Sequence, residues 1–273
     1  MHGPLHKLRA ALGDGVEYEL VVGDASLPLN ALIGSVLTLT ASGRIVCDAC
    51  GRETPKSYAQ GHCYPCMQRL ARCDLCVLKP ETCHYAAGTC REPAWGETHC
   101  MTGHVVYLAN TSALKVGITR ASQVPTRWLD QGATQARPLL DVATRHVAGL
   151  VEVAIARRVA DKTNWRAMLR GGGEPLDLAA AATTVLADTA DDIAAIRAAH
   201  GADAIRILDA EDVTIRYPVT RYPEKIVSHN FDKQAQVTGT LEGVKGQYLL
   251  FDSGVLNVRK FTGYEVSVER AAA

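Results

Sequence analysis

The sequence lacks a net charge, a long apolar run, and any cysteine outside one segment. Lysine plus arginine and aspartate plus glutamate both number 29, so no overall positive charge indicates a polyanionic partner. No apolar run reaches the length of about eighteen residues that a membrane-spanning helix needs. The chain also has no apolar stretch after its first three residues. We therefore expect a protein that neither spans a membrane nor is exported.

Charge is nevertheless distributed unevenly along the chain. From Arg44 to Arg145 there are 12 basic and 8 acidic residues, whereas from Glu152 to Asp212 there are 7 basic and 11 acidic residues. The first segment therefore has a local positive surplus, part of which zinc-bound thiolates would offset. This surplus favours a nucleic acid, DNA or RNA, as the partner of that segment.

All nine cysteines lie between Cys47 and Cys100. Two Cys-x-x-Cys pairs, Cys47 with Cys50 and Cys63 with Cys66, are separated by twelve residues. This is the spacing of a zinc ribbon, in which two tight turns each present two thiolates to one tetrahedral site. The alternative, two local disulfides, suits an exported protein. Since no secretory leader is present, we predict a structural zinc site and a cytoplasmic location.

A third pair, Cys73 and Cys76, begins a second cluster and predicts a second zinc ion. The simplest ligand set adds Cys83 and Cys90 to this pair. Residues that could replace a member of the set are Cys100, His84 and His104. Because the segment has few aliphatic residues, we expect it to fold only with metal bound.

Strand and helix patterns divide the 273 residues into five segments of an α+β protein. Residues 1–46 and 205–273 are β-rich, and they predict one sheet or small barrel built from the two chain ends. Residues 47–104 form the zinc module, with two sites. Residues 105–170 form a small α/β unit, with a strand over 139–147 and a helical pattern over 150–169 that breaks near 161–164. Residues 171–204, which begin with three glycines, are alanine-rich and helical.

Residues 105–164 have an ordered pattern of strand, hairpin, strand, helix, strand and helix. The strands contain Val105-Val106-Tyr107 and Lys115-Val116-Gly117, and Arg127, Glu152 and Asn164 follow in the later elements. In order and spacing this pattern resembles the GIY-YIG nuclease family in a diverged form. Lys115 stands where the second motif of that family has tyrosine.

The resemblance implies that Tyr107, Lys115, Arg127 and Glu152 are the catalytic residues of a phosphodiesterase. Glu152 would hold one Mg²⁺ or Mn²⁺, mostly through water, and Arg127 would stabilise the charge of the transition state. Tyr107 would orient or deprotonate water, although a phenol with a pKa near about 10 must be shifted to act as a base at neutral pH. Lys115 would lower the pKa of Tyr107, bind a phosphate, or mark the loss of catalysis.

A second resemblance extends over nearly the whole chain. Residues 83–84, 88–93, 115–120, 127–133 and 161–165 are similar to an uncharacterised bacterial family of zinc-binding proteins of unknown function, DUF2797. This resemblance implies no particular activity.

Two functions therefore stay open. The first is a zinc-binding, nucleic-acid-processing protein with metal-dependent phosphodiesterase activity, which needs Glu152 and a divalent ion other than zinc. The alternative is a non-catalytic zinc ribbon that binds nucleic acid or protein. Binding of nucleic acid by such a ribbon needs neither Glu152 nor a divalent ion other than zinc, and it would be salt-dependent. In that case Tyr107 is a core residue, and Arg127 pairs with Glu152.

Overall fold

Fourteen strands and eight α-helices are found in the computed structural model, which describes residues 1–159, 162–171 and 173–270. The strands are β1 His2–Pro4, β2 Arg9–Leu12, β3 Val16–Val22, β4 Ala25–Pro28, β5 Val36–Ile45, β6 His104–Asn110, β7 Leu114–Arg120, β8 Gln135–Val142, β9 Ile205–Ile207, β10 Val213–Thr214, β11 Gln236–Lys245, β12 Tyr248–Phe251, β13 Gly254–Asn257 and β14 Tyr264–Arg270. The helices are α1 Tyr64–Arg69, α2 Leu75–Leu78, α3 Pro93–His99, α4 Thr126–Asp130, α5 Arg145–Ala156, α6 Trp165–Met168, α7 Leu178–Asp188 and α8 Ala190–His200. The protein is therefore α+β.

Strands from both ends of the chain form one six-stranded antiparallel sheet, the terminal sheet. Its order is β1-β14-β5-β11-β12-β13. In β5, Leu37, Leu39 and Ala41 are buried and alternate with more exposed residues, as expected of a strand with one face in the core. Leu39 is paired with Val268 on one side and with Val237 on the other. Among the described residues no pairing closes the sheet, so the chain ends build an open sheet and not a barrel.

Two further sheets complete the fold. Strands β2, β3 and β4 form a meander, in which Gly23 has a φ of +58° in the two-residue turn between β3 and β4. The central sheet has the order β10-β8-β6-β7, and β9 also pairs with β8. Every residue of β6 is buried, because both faces of the central sheet are covered.

Alternate residues of β6 contribute to two different cores. Val105, Tyr107 and Ala109 face the larger core, which includes the terminal sheet and the meander. Val106 and Leu108 face the second core, which includes buried residues of α5, α7 and α8. The period of two along the strand therefore puts Tyr107 on the side of the central sheet that faces the terminal sheet.

The strand predicted over 139–147 is wrong in its final residues. Strand β8 ends at Val142 and α5 begins at Arg145, because the Thr144 hydroxyl accepts a hydrogen bond from the backbone N–H of Val147 and caps the helix. The helical pattern predicted over 150–169 is divided between α5 and α6. Part of the break predicted at 161–164, namely Asp161, lies outside the described residues, as does Gly172 of the three glycines.

Within the described ranges, no helix combines the length and apolar character required to cross a membrane.

The first strands should be a structural part of the core, and Leu5→Ala tests this. Leu5 is fully buried; its N–H donates to the Tyr264 carbonyl at 2.8 Å, and its carbonyl accepts from the Gly263 N–H at 2.8 Å. Truncation should lower the free energy of unfolding by about 2–5 kcal/mol, because it leaves a cavity. Urea denaturation measures this loss. The control Leu78→Ala, at a residue that is 82% exposed, should change stability by less than about 0.5 kcal/mol. Equal stability of the two variants would contradict the prediction that the first strands are part of the core.

Candidate metal centre and adjoining cleft

Four thiols meet at the end of β5. One candidate ligand atom from each of Cys47, Cys50, Cys63 and Cys66 lies within 4.8 Å of the others, and the Sγ atoms of Cys50 and Cys63 are 3.8 Å apart. A tetrahedral zinc site with Zn–S bonds of about 2.3 Å has an S–S separation of about 3.8 Å. The first four predicted ligands are therefore arranged as zinc requires.

Local backbone structure holds these thiols in place. The first pair lies in a tight turn, in which the Cys47 N–H donates to the Arg52 carbonyl at 2.8 Å and the Gly51 N–H donates to the Cys47 carbonyl at 2.9 Å. Gly51 has a φ of +69°, which glycine adopts most readily. The second pair flanks the start of α1, with Cys63 at the N-cap and Cys66 in the first turn. The turn and the helix start thus present four thiols to one point.

The chemistry of the site also suits zinc. Burial raises the pKa of the Cys47 thiol, but hydrogen bonds from the backbone of Cys63, Ala49 and Cys50 outweigh this effect and lower the pKa to about 6. The thiolate, which is the form that binds zinc, is therefore favoured at Cys47, whereas a hydrogen bond with the Cys63 side chain is the main cause that raises the pKa of Cys66 to about 12. All nine cysteines are free, so the disulfide alternative does not describe this arrangement.

The second group of predicted ligands is divided. Cys73 packs beside Cys47, Cys63 and Cys66. In contrast, a separate small cavity is lined by Cys76, Cys83, Cys90 and Cys100. Three possible ligands close to one another are Asp74, Cys76 and His84. His104 is fully buried in β6, with Nδ1 2.7 Å from the Thr102 carbonyl oxygen.

Tyr107, one of the predicted catalytic residues, is buried and hydrogen-bonded. Its hydroxyl donates to Gln131 Oε1 at 3.0 Å, and the side chain is fully buried. Burial is the main cause that raises the pKa of Tyr107 to about 12; the charge of Glu152 raises it further, while Arg127 lowers it through its charge and a hydrogen bond. Tyr107 therefore interacts directly with Arg127, whereas Glu152 acts on it through its charge from α5, which packs on the other face of the central sheet.

Gly117 makes room for the tyrosine ring. It is the register partner of Tyr107 in the hairpin of β6 and β7, and a Cβ at this position would lie 2.7 Å from the ring. Lys115 is two residues before Gly117, on the same face of the sheet, and its Nζ is 3.5 Å from Thr163 Oγ1. Asn164 caps α6, with Oδ1 accepting from the Ala167 N–H at 3.1 Å.

Two further arginines interact with Arg127, although they come from distant parts of the chain. Burial lowers the pKa of Arg145 and that of Arg259, and the charge of Arg127 lowers both further. The charges of Cys100 and Glu152 raise the pKa of Arg145, and the charge of Asp130 raises that of Arg259. We call Arg127, Arg145 and Arg259 the arginine cluster. Sequence reasoning did not include Arg145 or Arg259 in the site.

The position of Arg145 depends on the packing of the zinc module against α5. A Cβ at Gly149 would lie 2.5 Å from Pro80, so glycine allows this close approach. Arg145, Gly149 and Glu152 share one helix face because they are spaced by four and three residues. The Arg145 guanidinium donates from Nη2 to the Val77 carbonyl at 2.6 Å. The Thr144 cap is a sequence signal that could have indicated Arg145 as a helix-opening residue.

Two adjoining cavities form a cleft beside the arginine cluster, and we call them the basic cleft. Their volumes are about 640 Å³ and about 520 Å³, and Gln60 and Arg259 line both. The basic residues that line the cleft are Lys7, Arg72, Arg127, Arg259 and Lys260. The acidic ones are Asp48, Asp74 and Asp130. The balance of charge in the cleft is therefore positive, unlike that of the whole chain.

Removing one ligand should remove the first metal ion. We expect Cys63→Ala to contain one zinc ion fewer per chain than the wild type and to melt at a lower temperature, since a segment with few aliphatic residues depends on its metal. Elemental analysis after gel filtration measures the zinc, and circular dichroism measures the melting temperature. A zinc content equal to that of the wild type would show that these thiols do not hold zinc.

Comparison with known proteins identifies one family. Residues 34–266 match the family described as "Protein of unknown function (DUF2797)". Comparisons with curated proteins and with solved structures gave no match. The matched residues include the zinc module, the central sheet and most of the terminal sheet. Because they make up well over half of the chain, the protein belongs to the DUF2797 family, whose function is unknown.

Proposed function

We propose that the protein binds nucleic acid in the basic cleft and that Arg127 and Arg259 contact its phosphates. The arginine cluster is the observation that carries this proposal. Burial is the main cause that lowers the pKa of Arg145 and that of Arg259, and the charge of Arg127 lowers both further, so these guanidinium groups are held near Arg127 at an energetic cost. A phosphodiester offsets this cost and accepts the planar, forked hydrogen bonds that arginine donates.

The walls of the cleft also suit an extended polyanion. Gln60 and Arg72 come from the zinc module, Arg127 from α4 and Arg259 from the segment before β14. Arg259 is held by a hydrogen bond from Nε to Gln60 Oε1 at 2.6 Å. Zinc ribbons commonly provide positively charged contacts of this kind. The two adjoining cavities offer room for more than one phosphate group.

Substitution of Arg259 should weaken binding without unfolding the protein. Loss of one charge-assisted phosphate contact costs about 1.5–3 kcal/mol, so Arg259→Gln should lower the affinity roughly tenfold or more. The dependence of log affinity on log salt should become shallower by roughly one. Fluorescence anisotropy with single- and double-stranded DNA and RNA, at several salt concentrations, measures both quantities.

The matched control is Arg157→Gln. Arg157 is exposed at the C-cap of α5 and pairs with Asp192 at 3.2 Å, outside the residues that line the basic cleft. Its loss should leave affinity unchanged. Equal affinities for the two variants, or no binding of any oligonucleotide by the wild type at low salt, would contradict the proposal. Circular dichroism confirms that both variants are folded.

A second candidate function is metal-dependent hydrolysis of the bound phosphodiester. The electrostatic effects of Arg127 and Glu152 on Tyr107 favour it, because these residues stand at the positions that the GIY-YIG resemblance implies for catalysis. Glu152 would hold Mg²⁺ or Mn²⁺, and Arg127 would stabilise negative charge as the phosphate is attacked. With a pKa of about 12, Tyr107 keeps its proton at neutral pH, so it would orient water and not act as the base.

Glu152→Gln separates hydrolysis from binding. The variant should lose metal-dependent cleavage and keep its affinity, because the carboxylate acts through a metal that stabilises the transition state more than the ground state. Cleavage of labelled oligonucleotides with Mg²⁺ or Mn²⁺ measures activity, and Glu17→Gln, at an exposed position on β3, is the control. Equal cleavage by the wild type and Glu152→Gln would exclude Glu152 as the metal ligand. Binding without cleavage in both proteins would leave only the first candidate function.

A further inference from the structure

Four thiols outside the first zinc site line one small cavity. They are Cys76 at the start of α2, Cys83 after the 3₁₀ turn Pro80–Thr82, Cys90 before α3, and Cys100 at the end of α3. The four come from four separate turns of the chain, and the cavity is where these turns meet. A small cavity lined by four thiols offers the ligand types of a structural zinc site in a segment with little apolar core.

The charges of these thiols act on one another. Burial is the main cause that raises the pKa of Cys76 to about 11; the charge of Asp74 raises it further, and the charges of Cys83 and Cys100 add to the increase. Burial also raises the pKa of Cys100, and Cys83 and Cys90 raise it further. Gly96 leaves space for Cys90, because a Cβ on this glycine would lie 3.4 Å from its Sγ.

Cys73 is separated from this group, although its spacing from Cys76 is that of a zinc-binding pair. It ends the 3₁₀ turn Ala71–Cys73 and packs against Cys47, Cys63 and Cys66. The next residue, Asp74, caps α2 by accepting a hydrogen bond from the Cys76 N–H at 3.3 Å. The chain therefore changes direction between the two cysteines, and each joins a different group.

The acid and the histidine near Cys76 are engaged in other interactions. Asp74 Oδ2 is 2.6 Å from Arg91 Nε, and His84 Nδ1 is 2.8 Å from Thr89 Oγ1. An ion-paired carboxylate is a weaker competitor for zinc than a free thiolate. We infer that these residues support the ligand turns, as hydrogen-bonded neighbours of metal ligands commonly do.

Two arginines offset the charge that such a site would have. Four thiolates and one zinc ion have a net charge of about −2, and Arg91 lines the cavity. The charge of Arg145 lowers the pKa of Cys100 against the larger effect of burial. The backbone N–H of Arg145 also donates to the Cys100 carbonyl at 2.8 Å, so α5 is joined directly to this group of thiols.

We propose that Cys76, Cys83, Cys90 and Cys100 hold a second zinc ion and that Cys73 is not a zinc ligand. This site would fasten the C-terminal half of the zinc module to the first turn of α5. It does not depend on the proposed binding of nucleic acid.

Zinc content of two matched variants tests the ligand set. The purified full-length wild type should contain about two zinc ions per chain, Cys100→Ser about one and Cys73→Ser about two. Elemental analysis and native mass spectrometry measure these values. Two ions in Cys100→Ser with one in Cys73→Ser would overturn the proposal, and so would a wild type with a single ion.

A test on the wild type does not depend on the folding of a variant. Treatment of the native protein with N-ethylmaleimide, followed by peptide mass mapping, should label Cys73 first. Cys83 and Cys90 are partly exposed, as is Cys73, yet they should react only after a zinc chelator is added. Labelling of Cys83 and Cys90 at the rate of Cys73, with no effect of the chelator, would also overturn the proposal.

Discussion

The pairing of β5 with the C-terminal strands is the constraint on which the rest of the structure depends. β5 lies between β14 and β11, so it shares one sheet with the C-terminal strands, and the first 45 residues share one core with the last part of the chain. β5 leads directly to Cys47, and the 3₁₀ turn Val258–Phe261 leads directly to β14. The same pairing that buries Leu39 therefore brings the first metal centre close to Arg259. Without it, the basic cleft would lack one of its walls.

The zinc module has little apolar core of its own and depends on its neighbours for position. Its first four thiols lie at the end of the terminal sheet, and its second half packs on α5, where Gly149 admits Pro80. These two attachments place Arg145 and Arg259 where the charge of Arg127 acts on both. We infer that the role of the metal is indirect: zinc orders the module, the module fixes the walls of the cleft, and the cleft holds the arginines in place to meet an anion.

Local patterns in the sequence were sufficient to predict some of these features. The spacing of Cys47, Cys50, Cys63 and Cys66 predicted their convergence, because the first pair lies in one tight turn and the second pair lies at the start of one helix. Alternation of apolar residues predicted most strands and a sheet built from both chain ends. The end of β8 at Val142 was missed because the cap at Thr144 is a single hydrogen bond, which strand propensity alone does not reveal.

Features that depend on contacts between distant residues could not be predicted. Cys73 and Cys76 have the spacing of a ligand pair, but the cap formed by Asp74 turns the chain between them. Arg259 follows Arg127 by more than a hundred residues and has no periodic or motif signal. It reaches the cleft only because β14 pairs with β5. Long-range pairing of strands thus assembles the arginine cluster, and no window of the sequence contains it.

Hydrogen–deuterium exchange of the full-length protein, with and without a saturating oligonucleotide, tests the central claim most directly. The account predicts slower amide exchange in the segments that carry Gln60, Arg127 and Arg259, which line the basic cleft, and unchanged exchange in α7 and α8. Slower exchange confined to α7 and α8, or no change in any segment, would contradict the claim that the cleft binds nucleic acid.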